Sequence, residues 1–230
     1  MNISNKIFNH HKVYCRQRPS LIQRYGKHHY ITPEGKEYAS ITTKLAATKD
    51  YTGLNFWKRH VGESVAKYIT EMAISTGTKT HKMIECYLNN EPSDEKSLLP
   101  KAHFENIKPL LNKINNIQFT EVPLFSDKIQ TAGTTDCVAE YAGELSILDW
   151  KTSKKKKQNA WIQDYFLQTT AYSQMYEEMS GIKINQGVIL ITGEDGSVSE
   201  YIIHIDDYVD VLHQRLTAYD QRHTITLTNV

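Results

Sequence analysis

The 230-residue chain is poor in cysteine, with three, Cys15, Cys86 and Cys137, far apart and without a C-x-x-C pair. Three thiols cannot complete a four-cysteine site, so neither zinc nor an iron–sulfur cluster is expected. Reduced, unpaired thiols in an intracellular protein are the simplest reading. Long apolar runs are also missing. The stretch Val188-Ile189-Leu190-Ile191 is far below the roughly 20 residues that cross a bilayer, and the N-terminus lacks the apolar core of a secretory signal. The expectation is a cytoplasmic protein with no membrane partner. Acidic residues are absent from positions 1–33, which carry Lys6, Lys12, Arg16, Arg18, Arg24 and Lys27. A net charge of +1 therefore hides a basic stretch ahead of a remainder with 21 basic and 26 acidic residues. That stretch reads as a basic arm over about 1–30, able to touch nucleic acid or simply to pack as a solvated arm. A transit-like segment is the third reading, although no cleavage signal is evident.

The residues that are present suit a folded chain. Hydrophobic residues make up 40% and charged residues 23%, enough apolar content for one packed domain. Pro33-Glu34-Gly35 predicts a turn. Trp57, Val61, Val65, Tyr68/Ile69 and Met72 recur at helical spacing, and Gly77 predicts a break before a second helical run over 78–88. Phe104, Ile107, Leu110/Leu111 and Ile114 predict another helix, kinked at Pro109. The texture then changes. Residues 117–126, 129–141 and 145–151 predict three strands, with turns at Asp127-Lys128 and Ala142-Gly143-Glu144. A long helix follows over about 159–180, striped by Trp161, Tyr165, Gln168, Tyr172, Met175 and Met179. Strands at 186–192 and 198–205 and a last helix after Asp206-Asp207 complete the order. A mixed sheet flanked by helices is the natural layered solution.

The chemistry concentrates in Gly133-Thr134-Thr135-Asp136 and Ile147-Leu148-Asp149-Trp150-Lys151-Thr152-Ser153. Strand residues i and i+2 share a face, so Asp149 and Lys151 point one way and Leu148 and Trp150 the other. The turn near 142–143 can set Asp136 beside Asp149. Two carboxylates ~4 Å apart repel by about 4 kcal/mol at an effective dielectric near 20. One lysine offsets part of that, and a hard divalent cation such as Mg²⁺ or Mn²⁺ offsets more. A plain surface Asp–Lys pair is the alternative, although Ile147 and Leu145 on the same face suggest the end of a partly buried row.

Three further features accompany the cluster. Gln168 interrupts a largely apolar stripe with Tyr172 one turn on, and a buried amide there needs partners. His81 and Glu85 stand at i and i+4, able to complete a metal shell or to form an ordinary surface contact. Lys154, Lys155, Lys156 and Lys157 follow the cluster directly, as a solvated loop or as a clamp on a polynucleotide backbone. Trp57, Arg59 and the tyrosines offer stacking surfaces or core aromatics alike.

Asp136, Asp149-x-Lys151 and Gln168-x-x-x-Tyr172 together resemble the PD-(D/E)XK nuclease superfamily, in its RecB-like branch, and Gly77-x-x-x-His81-x-x-x-Glu85 matches the same branch. The closer resemblance is to the mitochondrial genome maintenance exonuclease group and its phage relatives. It rests on Gly133-Thr134-Thr135-Asp136-Cys137-Val138-Ala139-Glu140-Tyr141 and on Ile147 through Ser153. Tyr30-Ile31-Thr32-Pro33-Glu34-Gly35 and Ser40-Ile41-Thr42 are similar to the phage relatives. The resemblance spans about 30–220 and is most specific between 133 and 172.

This resemblance implies an α/β (α+β) restriction-endonuclease-like core, a mixed central sheet flanked by helices. Residues 31–230 would form one domain, helical over about 50–116 with the catalytic core over about 117–222. It implies an Mg²⁺- or Mn²⁺-dependent DNA exonuclease that prefers single strands with free ends and serves replication, recombination or repair as a monomer. By the same carry-over Asp136 and Asp149 hold the metal, helped by the Trp150 carbonyl and His81. Lys151 is the catalytic lysine, and Gln168, Tyr172 and Glu85 shape the site. Expected DNA contacts are Ser40, Thr42, Trp57, Arg59, Thr152, Ser153 and the lysines at 154–157. Two departures stand out. Ala39 replaces the proline usual before the Ser-x-Thr segment. The long N-terminal extension of mitochondrial members is absent, which suggests a phage or bacterial protein. A structure-selective endonuclease on the same core and an inert DNA-binding module are the rival readings.

The lysine run yields a direct test. If it clamps a single strand, log K falls by about 0.7 per phosphate contact against log[salt]. Neutralising residues 154–157 then weakens binding and flattens that slope, as measured by salt titration of a labelled oligonucleotide. An unchanged slope returns the run to the solvated loop.

Overall fold

Residues 114–153, largely buried on both faces, build three adjacent strands, and the two strands beyond residue 185 extend the same sheet. A computed structural model describes residues 6–156 and 162–228, with side chains to residue 222. Its elements are β1 (Ser20–Arg24), β2 (Lys27–Ile31), β3 (Glu37–Ala39), α1 (Ile41–Ala47), α2 (Thr52–Val61), α3 (Glu63–Leu88) and α4 (Leu98–Leu111), followed by β4 (Ile114–Ser126), β5 (Thr131–Tyr141), β6 (Glu144–Ser153), α5 (Gln163–Ser180), β7 (Gln186–Gly193), β8 (Val198–His204) and α6 (Val209–Thr228). From α1 onward the predicted order of helices, three strands, helix, two strands and helix is the observed one, but three short strands, β1 to β3, precede it and are not in the expected order.

The main sheet runs β4-β5-β6-β7-β8. All neighbours are antiparallel except β6 and β7, which are parallel. A parallel pair needs a crossover, and α5 supplies it. Both faces are covered. Val122, Leu124, Val138 and Ile147 pack with Leu167, Ala171, Met175 and Tyr176 of α5, Leu212 of α6 and Ile41 of α1. Cys137, Ala139, Leu148, Trp150, Val188 and Leu190 pack on the other face with Ile84 and Leu88 of α3 and Phe104, Ile107 and Leu111 of α4. The chain is therefore a mixed α/β protein, a five-stranded mixed sheet between two helical layers. Among the described residues no helix is long and apolar enough to cross a membrane.

Two-residue geometry at Ala142 (φ +52°) and Gly143 (φ +90°) joins β5 to β6 and fixes Tyr141 opposite Glu144, as hairpin turns with left-handed residues do. The β4–β5 connection is longer than expected. Ser126 pairs with Thr131, so four residues, 127–130, make the turn, with Gln130 at φ +46°. That shift becomes important at the site.

The helical part differs from expectation at its break. Gly77 does not interrupt the helix; α3 runs through it for 26 residues. The break lies at Gly62, where φ is +86° between α2 and α3, a conformation that costs glycine little and other residues more. Gly77 serves close packing instead, since a Cβ there would lie 3.3 Å from Thr152 Oγ1. The buried residues of α3 lie mostly from Thr76 onward, and none of the described residues of α2 is buried. Pro109 sits inside α4, near its end.

The basic N-terminal stretch is stitched to the domain. Phe8 is 2% exposed in the core beneath α3. Its N–H donates to Asn90 Oδ1 (2.8 Å), and Asn90 Nδ2 donates to its carbonyl (2.9 Å). His11 N donates to Ile117 O, and Ile117 N to Asn9 O. Residues 20–31 then form a hairpin in a small sheet, β1-β2-β3.

Gly187 of β7 meets α5 with no spare room, because a Cβ would lie 2.6 Å from Thr169 Cγ2 and 2.9 Å from Ile203 Cγ1. Overpacking of this kind costs about 1–3 kcal/mol. Gly187→Ala is therefore expected to lower the urea midpoint by that equivalent at unchanged m-value.

Candidate active site

The site forms where β5 and β6 part. Their ladder reaches Cys137–Leu148, which brings Asp136 level with Asp149. Beyond that point Trp150 N donates to the Asp136 carboxylate, Oδ2, at 2.9 Å, while β6 continues along β7 to Ser153. Asp136 is 7% exposed and Asp149 0%. Lys151 Nζ donates to Asp149 Oδ1 at 2.6 Å and lies 5.4 Å from the Tyr165 ring centroid. Asp149 Oδ2 is buried without a hydrogen-bond partner among the described residues. A buried ionised oxygen without a partner is costly, and a cation removes that cost.

Two other elements reach the same place. His81, on α3, holds Nδ1 3.5 Å from Asp136 Oδ1. Glu121, on β4, lies level with Asp136, since Thr120 pairs with Cys137 and Val122 with Thr135. Its φ of +46° is unusual for a non-glycine residue in a strand and carries strain of the order of 1–3 kcal/mol, a feature that clusters at functional sites. His81, Glu121 and Asp136 each offer a ligand atom within 4.8 Å of the others. Imidazole nitrogen with carboxylate oxygens suits a divalent cation.

Charge crowding shows in the titration behaviour. Burial pushes the Asp149 carboxyl up, the Asp136 charge adds to this, and Lys151 offsets only part, leaving it at about 6. Burial and then Asp136 push Glu121 up to about 7. Burial acts upward on Asp136 as well, but His81, Lys151 and the Trp150 N–H outweigh it, and its carboxyl falls below the usual range. Burial lowers Lys151, and the two aspartates more than restore it. Three carboxyls share one place, so without added positive charge at least one holds its proton near neutral pH.

On the α5 side Gln168 Nε2 donates to Tyr172 Oη at 3.0 Å, and both residues are buried. Burial, then the charge of Asp149, raises the Tyr172 phenol well above its ordinary value, so it remains a hydroxyl. Gly133 admits this ring, because a Cβ would lie 2.7 Å from Tyr172 Cε1. A cleft of about 540 Å³ opens over the cluster, lined by Gly77, His81, Glu85, Glu121, Lys151 and Thr152 among others. Glu85 faces the cleft and pairs with Lys82 at 2.8 Å.

The residues singled out from the sequence divide accordingly. Asp136, Asp149, Lys151, His81, Gln168 and Tyr172 come together, with Glu85 and Thr152 on the cleft wall. The Trp150 side chain is core, edge-on to His81 at 6.0 Å. Ser153 Oγ donates to Lys155 O, and Lys154, Lys155 and Lys156 are exposed. Lys157 and Trp161 lie outside the described residues. Ser40 is 2% exposed, and its hydroxyl caps α1 by accepting from Thr43 N. Thr42 lines a separate groove with Lys27 and His28. Trp57 and Arg59 lie on α2, away from the cleft lining. Glu121 escaped sequence reasoning. An acid in the middle of a predicted strand, Phe119-Thr120-Glu121-Val122, was the available signal.

Fold and site thus define a mixed α/β protein with a buried carboxylate–lysine centre able to hold a cation. No protein-family model matches the chain. It is 28% identical over 156 residues to human mitochondrial genome maintenance exonuclease 1 and 30% identical over 157 residues to the mouse protein. Each alignment covers 63% of this chain and 45% of the relative, so the chain spans less than half the length of the curated relatives it matches. These similarities relate it to the mitochondrial genome maintenance exonuclease group. A crystal structure from Eubacterium rectale, of a protein named as a candidate exonuclease, aligns over 64% of this chain and 65% of its own. Its identity is 13% and its TM-score 0.41.

Because Asp149 and Glu121 hold protons up to about pH 6 and 7, a cation must displace them at lower pH. Millimolar Mg²⁺ should therefore raise Tm clearly at about pH 8 and hardly at about pH 5. Asp136→Asn should abolish the shift. Equal shifts at both pH values in differential scanning fluorimetry would contradict a proton-competed site.

Proposed function

We propose that this chain is an Mg²⁺- or Mn²⁺-dependent DNA exonuclease of the PD-(D/E)XK type, RecB-like branch, acting on single strands from a free end. The reading rests on one observation above all. Asp136 and Asp149 come level on neighbouring strands, Lys151 is bonded to Asp149, and the outer Asp149 oxygen is buried and unpaired among the described residues. The similarity to the mitochondrial genome maintenance exonucleases supports the same reaction.

Asp136, Asp149, the Trp150 carbonyl and His81 would hold the ion, with Glu121 as a further oxygen donor. Such an ion neutralises phosphate charge and lowers the pKa of a coordinated water. The chain's own groups do the rest. Lys151 sits on Asp149, so its ammonium both steadies that carboxylate and offers donors to the attacking water or to phosphoryl oxygens as charge develops. The Trp150 N–H fixes the Asp136 carboxylate in one orientation. Gln168 and Tyr172 buttress the Asp149 side of the site from α5. Thr152 and Ser153, followed by the exposed lysines, continue β6 from the reacting centre, where they would meet the sugar–phosphate backbone. A monomer suffices, because every group named comes from one chain. DNA replication, recombination or repair in a bacterial or phage-infected cytoplasm is the proposed setting, supported by the resemblance to phage sequences.

Asp149→Asn and Lys151→Ala should each slow hydrolysis by at least about 10²–10³-fold while far-UV circular dichroism stays unchanged. End-labelled linear single strands should be degraded with magnesium and spared with EDTA, and circular single strands should survive. Cleavage of the circle would replace the exonuclease reading with an endonuclease, and full activity of Lys151→Ala would overturn the mechanism.

A further inference from the structure

A second recess lies immediately beyond the candidate cleft. It has a volume of about 230 Å³, and Tyr68, Met72, Leu99 and His103 contribute to its walls, with Thr152, Ser153 and Lys154 along β6. Thr152 belongs to both cavities. Gly77, which lines the cleft, stands against Thr152, where a Cβ would come within 3.3 Å of the hydroxyl oxygen. A glycine within α3 costs helix stability of the order of 1 kcal/mol relative to alanine, and here it permits the close approach of the helix to β6.

The recess is lined by more apolar than polar surface and has room for a ring. At roughly 30 Å³ per water, its volume is that of about eight waters, ample room for one nucleobase. Tyr68 is 63% exposed and Met72 48%, so large side chains stand open to solvent at the recess without a core role. His103 is buried, its Nδ1 3.2 Å from Thr192 Oγ1, and burial lowers its pKa despite nearby Glu194, which favours the neutral imidazole. Lys154 and Glu194 both contribute to the lining, so it is not uniformly basic, which suits a base better than a second phosphate. Along β6, Lys151 and Ser153 are two residues apart, about 6.6 Å. A strand with its phosphate at Lys151 therefore passes the recess with the adjoining nucleotide.

We propose that this recess receives the base of the nucleotide next to the cleaved phosphate, stacked on Tyr68 and enclosed by Met72 and Leu99. The proposal rests on the nuclease reading and adds a base subsite to it. A mostly apolar lining predicts tolerance of all bases rather than sequence preference.

The test uses the full chain and single-stranded oligonucleotides carrying one abasic residue at successive positions. In the parent protein one fixed offset from the cut should slow cleavage by about 5- to 100-fold, the range of base–aromatic stacking. Tyr68→Ala should slow cleavage of the unmodified strand comparably and erase the abasic penalty, and Tyr68→Phe should retain both rate and penalty. A parent that cleaves with no position-specific penalty, or a Tyr68→Ala protein that keeps the full penalty, overturns the subsite. A parent that cuts no strand in magnesium counts against the nuclease reading instead. The recess is then judged by 2-aminopurine fluorescence in EDTA. A change at one position, lost in Tyr68→Ala, sustains it, and a position-independent signal ends it.

Discussion

Carboxyl crowding at the parting of β5 and β6 governs this molecule. Asp136, Asp149 and Glu121 are carried there by strand register, and burial forbids all three from being charged unless positive charge arrives with them. Lys151 and His81 supply some of it from within. Burial first, and then the Asp136 charge, pushes Asp149 up to about 6 and Glu121 up to about 7. A protein that needed only stability would fill such a place with apolar side chains, since a buried ionic cluster is a weak source of stability. The fold instead surrounds it with rigid elements.

Those elements come from both layers. α3 delivers His81 from one face of the sheet, and α5 delivers Gln168 and Tyr172 from the other. Each helix is held close by a missing side chain: Gly77 against Thr152, Gly133 against Tyr172. The centre is therefore positioned by backbone-to-side-chain approach at two points on opposite faces. Small changes in packing there would be felt as displacement of the clustered carboxylates and lysine rather than as loss of stability alone.

Much of this was legible before any coordinates. Runs bounded by turn residues located β4 to β6, the apolar stripe located α5, and the spacing of Asp149 and Lys151 put them on one face. Asp136 came within reach because the Ala142-Gly143 turn is short and its residue types announce it. Glu121 was lost for a matching reason. A two-residue turn at Asp127-Lys128 would level it with Thr134; the actual four-residue turn levels it with Asp136. No local residue preference distinguishes those registers, because Gln130 takes its left-handed φ without the usual glycine or asparagine. Gly77 misled in the opposite direction. Read locally it is a breaker, whereas its purpose is tertiary, in a contact with a strand more than seventy residues away. The hairpin of residues 20–31 and the caps of α1 involve short elements whose pattern is too brief to show periodicity.

The opening segment has one more consequence. Phe8 and Asn90 clasp each other backbone to amide, and the following residues lie along β4 at Ile117. What reads in the sequence as a basic arm is a wedge under the end of α3, the helix that carries His81. A chain shortened to start at the first hairpin would lose not a tail but a plug, and the helix that carries His81 would lose its footing.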